Sequence, residues 1–214
     1  MKPLPWHLVK EIVDACKDSG VKKIVTNSGL GVRENNFEAY FYSKWLGERE
    51  IINSGLNYTI FRPSYIIGKN DEFTPKLIGD IKRGLLTVYG SGEYVMQPIF
   101  IGDVAKIFFK TVVDRTKTKE IFDLVGPKVL SFNQYADMVS KVMIKKKLIR
   151  KMPKKKFVEL EKGIQEALRN EKMTSAEEFV VRVSNEVSKG AEKILEKEFN
   201  LKLTPLEEVL TKIF

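Results

Sequence analysis

One cysteine, Cys16, and one histidine, His7, are all that 214 residues offer of either type. An internal disulfide is therefore excluded, and so is any Cys-rich metal cluster. Zinc sites built on several imidazoles are excluded on the same ground. A Ser–His–Asp hydrolase would have to use His7 as its base, and no Gly-x-Ser-x-Gly elbow presents a serine to it. No apolar run approaches the roughly 18 residues needed to cross a bilayer. Met1 to His7 lacks the apolar core of a secretory leader, so the expected compartment is the cytoplasm. Glutamine is also scarce, at positions 97, 134 and 165, beside abundant lysine and glutamate. That balance fits a thermophile's composition.

What is present describes a globular chain. Hydrophobic residues make up 43% and charged residues 30%, enough for a buried core in one large domain or one and a half. The formal charge is +9, which favours phosphorylated or otherwise anionic partners. The densest basic run is Lys145, Lys146, Lys147, Arg150, Lys151, Lys154, Lys155 and Lys156, interrupted by Met152 and Pro153. Only Phe157 adjoins it as a stacking platform, and residues 156–198 carry many glutamates, which argues against nucleic acid. A solvated helix end and loop is the expected structure there. Asp71 and Glu72 likewise read as a solvated loop rather than a metal site.

The apolar pattern alternates between helix and strand. Leu8, Val9, Ile12, Ala15 and Cys16 share one face of a helix over 7–19, stopped by Gly20. A strand follows at 22–28, a helix at 37–54 closed by Gly55, and a β-branched and aromatic strand at 57–61 that meets Pro63. Short turns join them, as in a parallel sheet covered by helices. Beyond residue 73 the pattern predicts a helix at 74–83, strands at 85–89, 97–101 and 121–125, and helices at 103–113 and 132–143. Ser131 caps the last of these. Residues 156–198 read as mostly helical. Thr204, Pro205 and Glu207 read as a capping box opening a final helix.

The stretch that carries chemistry is Tyr40-Phe41-Tyr42-Ser43-Lys44-Trp45-Leu46-Gly47-Glu48. Tyr40 and Lys44 lie four apart on a helix and so share a face. A lysine cation beside a tyrosine favours the phenolate, and the pair makes a compact acid/base for alcohol–ketone chemistry. Tyr and Lys four apart also arise by chance in many helices, so the context decides. Phe41 and Trp45 read as packing residues, with Phe41 or Tyr42 able to line a pocket. The pair follows a strand ending in Ser28. It precedes a strand ending Arg62-Pro63-Ser64-Tyr65-Ile66-Ile67-Gly68. Pro98-Ile99-Phe100-Ile101-Gly102-Asp103 then opens another helix.

These four segments, in this order, resemble the extended short-chain dehydrogenase/reductase superfamily of NAD(P)-dependent epimerases and dehydratases. The resemblance is closest to its atypical branch of NADH-dehydrogenase-like accessory subunits, and the ending from Leu201 to Glu208 is similar to that branch. The resemblance implies a partial Rossmann-like α/β fold. Residues 1–72 would form the remaining part of the dinucleotide domain, with return segments around 95–126. Residues 73–214 would form a smaller, helix-rich, substrate-type region. It implies catalytic roles for Tyr40, Lys44 and Ser28, with Gly29 standing where the family carries a second polar residue. It implies cofactor contacts from Lys44, Arg62, Pro63 and Ser64, no metal, and NAD or NADP as cofactor. Asp103 matches the family's helix-opening aspartate and reads as an N-terminal cap.

A G-x-G-x-x-G turn, which would seat the cofactor pyrophosphate on a helix N-terminus, is absent. Residue 1 is expected to fall near the end of the family's fourth strand. The expected activity is then that of an NAD(P)-dependent epimerase/dehydratase-like or NADH-dehydrogenase-like oxidoreductase. The alternative is a non-catalytic interaction or assembly protein on the same fold. The substrate class is a nucleotide-sugar or other small molecule. An unpaired sheet edge would need a second copy or a partner chain to cover it.

Overall fold

The computed structural model describes residues 6–36, 39–71, 73–88, 91–114, 116, 118–143, 148–151 and 186–213. Helix α1 (Trp6–Asp18) ends at Gly20, whose φ of +70° suits a residue without a Cβ. Strand β1 (Lys23–Asn27), helix α2 (Ala39–Ile52) and strand β2 (Asn57–Pro63) follow. Strand β3 (Ile66–Ile67), helix α3 (Thr74–Lys82) and strand β4 (Leu85–Val88) come next. Then come β5 (Val95–Met96), β6 (Ile99–Phe100), α4 (Ile101–Val113) and β7 (Glu120–Leu124). Strand β8 (Leu130–Ser131), helix α5 (Phe132–Val142) and strand β9 (Leu148–Lys151) precede α6 (Ala191–Glu198) and α7 (Leu206–Ile213).

The main sheet is parallel, in the order β1-β2-β7. Lys23 to Asn27 pair in register with Asn57 to Phe61, and Thr59 to Pro63 with Glu120 to Leu124. Among the described residues β1 is thus bonded into the sheet on one side only. The smaller pairs are β3 with β6, β4 with β9 and β5 with β8, the last antiparallel. Phe61 is fully buried on β2 and packs its ring against Phe108 at 4.7 Å and Phe199 at 6.0 Å. On the helix side of the sheet, Val13, Ile51 and Ile60 form the core between α1, α2 and β2. A larger cluster joins α3, β4, α5 and α7 around Tyr135, whose hydroxyl meets Thr74 Oγ1 at 2.9 Å. Among the described residues no helix is long and apolar enough to cross a membrane.

Several local expectations are corrected. The β2 ladder runs through Arg62 and Pro63 instead of stopping, because proline lacks only its N–H; its carbonyl still accepts from Leu30 N at 2.9 Å. Helix α4 starts at Ile101, and Asp103 is not its cap. The buried Asp103 carboxylate accepts from Thr204 N at 2.7 Å and Thr204 Oγ1 at 3.0 Å. Thr204 thus fastens the C-terminal segment to α4, and Pro205 O accepts a bond from Val209 N at the start of α7. Ser131 does cap α5, and Gln134 completes the reciprocal box. Asp71 is no idle loop residue, since its Oδ1 takes the N–H groups of Phe73 and Thr74 at the start of α3, while Glu72 lies outside the described residues. Within the basic run, Leu148 to Lys151 pair in parallel with Leu85 to Val88, so this part is a strand and not a loop. The rest of that run, and residues 156–185, lie outside the described residues.

Candidate active site

Where β1 ends, the chain does not turn away. Ser28 N donates to Phe61 O at 2.6 Å and Leu30 N to Pro63 O at 2.9 Å, so the loop after β1 stays bonded to the end of β2. Ser64 N in turn donates to Leu124 O at 2.9 Å. The C-terminal ends of three adjacent parallel strands are thereby held in a fixed relation, the place where open α/β sheets bind their ligands. Helix α2 closes over this end. It carries Tyr40 and Phe41 in its first turn, with Phe41 buried and set edge-on to Tyr40 at 5.2 Å.

Between the loop and the helix lies a cavity of about 250 Å³ lined by Ser28, Gly29, Tyr40, Pro63, Ser64 and Glu186, with Leu30, Phe41, Tyr65, Ile66 and Met96 completing the wall. Ser28 is more than nine-tenths buried, and its Oγ has no hydrogen-bond partner among the described residues. A buried hydroxyl left unsatisfied is costly, and in a cavity wall it is a group waiting for a ligand. The Tyr40 hydroxyl lies over Gly29: a Cβ built on Gly29 would stand 3.8 Å from it and 3.7 Å from Cε1. Both are ordinary van der Waals distances, so the phenol packs directly against the loop at this position. Lys44 Nζ lies 5.9 Å from the centre of the Tyr40 ring, within cation–π range.

The sequence-based site residues divide into two groups. Ser28, Tyr40, Pro63 and Ser64 share one cavity, with Lys44 behind the tyrosine. Arg62 faces elsewhere: its Nε and Nη2 donate to Glu48 Oε1 at 2.9 Å and Oε2 at 2.6 Å. That bidentate bond raises the guanidinium's pKa above its ordinary value, against the opposing effect of burial. The Arg62 side chain therefore clamps α2 to β2. Glu48 continues the i, i+4 ladder of Tyr40 and Lys44, and this spacing was the available sign of it. Glu186 had no such signal, because it comes from a lysine- and glutamate-rich stretch far along the chain. Phe41 lines the cavity; Tyr42 stacks on Trp45 at 5.6 Å instead. His7 is exposed on α1 and has no place in the cavity wall. Among the described residues no cluster of His, Cys, Asp or Glu could hold a metal.

Comparison with known proteins agrees with this architecture. Residues 4–84 match the NAD(P)H-binding family model. The mitochondrial NADH dehydrogenase [ubiquinone] 1 alpha subcomplex subunit 9 of Arabidopsis thaliana is 25% identical over 136 residues, 62% of this chain and 34% of that protein. The 40 kDa subunit of NADH-ubiquinone oxidoreductase from Neurospora crassa is 25% identical over 146 residues, 68% of this chain and 38% of that protein. The chain thus spans little more than a third of the curated relatives it matches. Among solved structures, the Citrobacter triphenylmethane reductase complexed with NADP(H) superposes with a TM-score of 0.73 at 17% identity, covering 98% of this chain and 71% of that one. The Escherichia coli NADPH-dependent quinone oxidoreductase complexed with NADPH gives 0.71 at 17%, covering 96% and 70%. These structures establish a Rossmann-like α/β fold. The family match over residues 4–84 and the curated relatives add a likeness to NAD(P)H-binding proteins of the extended short-chain dehydrogenase/reductase kind, for which NAD or NADP is the cofactor class.

Proposed function

We propose that this chain holds the nicotinamide end of NAD(P)H in the Ser28–Tyr40 cavity and takes part in oxidoreductase or epimerase chemistry there. The observation that carries the reading is the buried, unpartnered Ser28 hydroxyl in the same wall as Tyr40, beneath the Pro63–Ser64 backbone. A cavity of about 250 Å³ is at the small end for a ligand site. It suits one ring and its amide, not a whole dinucleotide. When bound, the cofactor supplies hydride transfer. Tyr40 would hold or move the proton at a substrate oxygen, Ser28 would orient that oxygen, and Lys44 would position Tyr40. The substrate is a small molecule carrying an alcohol or carbonyl, with nucleotide-sugars and quinones as the classes to try first.

Calorimetric titration with NADH and with NADPH tests the cofactor reading. Micromolar binding of either is the expected result. No binding at millimolar cofactor would overturn it and leave the assembly-protein alternative in possession of the fold. Partner association forms part of the same proposal. Among the described residues no strand pairs with the outer edge of β1, which leaves it a template, and we assign it to a strand of a second copy or of a partner chain. Sedimentation should then show self-association, or a stable complex with that partner. A strict monomer that captures no partner would count against it. The expected compartment is the cytoplasm.

A further inference from the structure

We propose that Arg33 is an anion-recognition residue at the mouth of the Ser28–Tyr40 cavity, and that the Glu186 carboxylate marks where a phosphate or carboxylate group of the bound molecule sits. Glu186 belongs to the cavity wall although it lies more than 150 positions from Arg33. Arg33 Nη1 donates to both of its carboxylate oxygens, each at 3.1 Å. Nη1 alone makes this contact, and the guanidinium's N–H groups would donate equally to a carboxylate or a phosphate of a ligand.

The backbone on both sides is arranged for this contact. Gly31 has a φ of +92°, which suits a residue without a Cβ, and a Cβ there would come 2.7 Å from Glu186 Cδ, so a larger residue would push the carboxylate aside. Asn36 Nδ2 donates to Gly31 O at 3.0 Å and Asn36 N to Arg33 O at 3.1 Å, which fixes the turn presenting the arginine. On the other side, Ser188 N donates to Oε1 of the buried Gln97 at 3.0 Å. The same Gln97 holds Gly126 O at 3.1 Å and Glu192 Oε2 at 3.3 Å through Nε2. The strap carrying Glu186 is therefore anchored two residues away, and its side chain can swing out while the strap stays in place.

The strength of the contact suits a replaceable stand-in. The Arg33 side chain is 58% exposed and that of Glu186 23%, and ion pairs so open to solvent hold weakly. A ligand anion displaces Glu186 at small cost, and while Glu186 is paired it occupies Arg33 against anions that do not also fill the cavity. The inference rests on the cavity and its rim and goes beyond the cofactor reading: the anion belongs either to the cofactor or to the substrate.

The test is calorimetric titration at low salt with inorganic phosphate, UDP-glucose and NADPH as separate probes. Glu186→Gln should tighten phosphate binding about fivefold, the scale set by an exposed pair. Arg33→Ala, alone or combined with Glu186→Gln, should abolish it. Asp14→Asn, at an exposed carboxylate of α1 paired with Lys10, adds the same net charge away from the cavity and should change nothing. A gain in UDP-glucose affinity alone would assign the anion to the substrate, and a gain in NADPH affinity alone to the cofactor. The proposal is overturned if phosphate does not bind Glu186→Gln, if Arg33→Ala leaves phosphate binding intact, or if Asp14→Asn reproduces the gain. Absence of NADPH binding together with an Arg33-dependent phosphate site would instead remove the cofactor reading and leave this one standing.

Discussion

Tyr40→Phe is expected to lower NAD(P)H-dependent turnover by two to four orders of magnitude while leaving cofactor affinity within about twofold, the range that removal of a general acid/base commands. The substitution removes one oxygen and keeps the ring. Its edge-on contact with Phe41, at 5.2 Å and 80°, therefore survives. The Lys44 cation 5.9 Å from the ring centre also keeps its place. What disappears is the only side-chain hydroxyl of α2 in the cavity wall, so a fall in kcat without a matching change in cofactor Kd isolates proton transfer. The measurement is cofactor oxidation with quinone and nucleotide-sugar acceptors, beside calorimetry on the same preparations. Ser28→Ala should act in the same direction but less strongly, because its hydroxyl orients and does not exchange the proton. If Tyr40→Phe turned over at the parent rate, Tyr40 would be a wall residue and the proton would have to come from elsewhere.

The sequence made the main sheet legible because its strands and helices alternate at short spacing. Lys23–Asn27, Ala39–Ile52 and Asn57–Pro63 lie within two residues of their expected bounds. The candidate site was legible for a related reason: Ser28, Tyr40, Lys44, Pro63 and Ser64 all flank those well-patterned elements. What could not be read was long-range polar pairing. Asp103 looks like a helix cap in any local window, yet its partner is Thr204, 101 positions away. Glu186 sits in a stretch whose pattern says only solvated helix, and its place over Gly31 depends on a buried glutamine, Gln97, with no local signature. Charge runs mislead in the same way. Leu148 to Lys151 read as loop from the lysine-rich run around them, but β-pairing is decided by backbone groups, which β4 supplies.

Arg62→Met illustrates how a residue assigned to the cofactor by position acts through packing. The variant should lose about 3 kcal/mol of stability, because truncating one partner of a buried pair leaves the other charge uncompensated. Glu48 retains only 4% of its side-chain surface while Arg62 retains 25%, so the orphaned carboxylate suffers most. The lower end of the usual 3–5 kcal/mol range applies, since the partly open arginine side admits some water. With a urea m-value of about 2 kcal/mol/M, the unfolding midpoint should fall by roughly 1.5 M. Glu48→Met added to Arg62→Met removes the stranded charge and should return most of the loss, as apolar replacements of whole buried pairs often do. The double variant also separates two roles for the arginine. If Arg62 only fastens α2 to β2, then Tyr40 and the Pro63–Ser64 backbone keep their relation and cofactor binding returns with stability. If the guanidinium itself touched the cofactor, stability would return and binding would not.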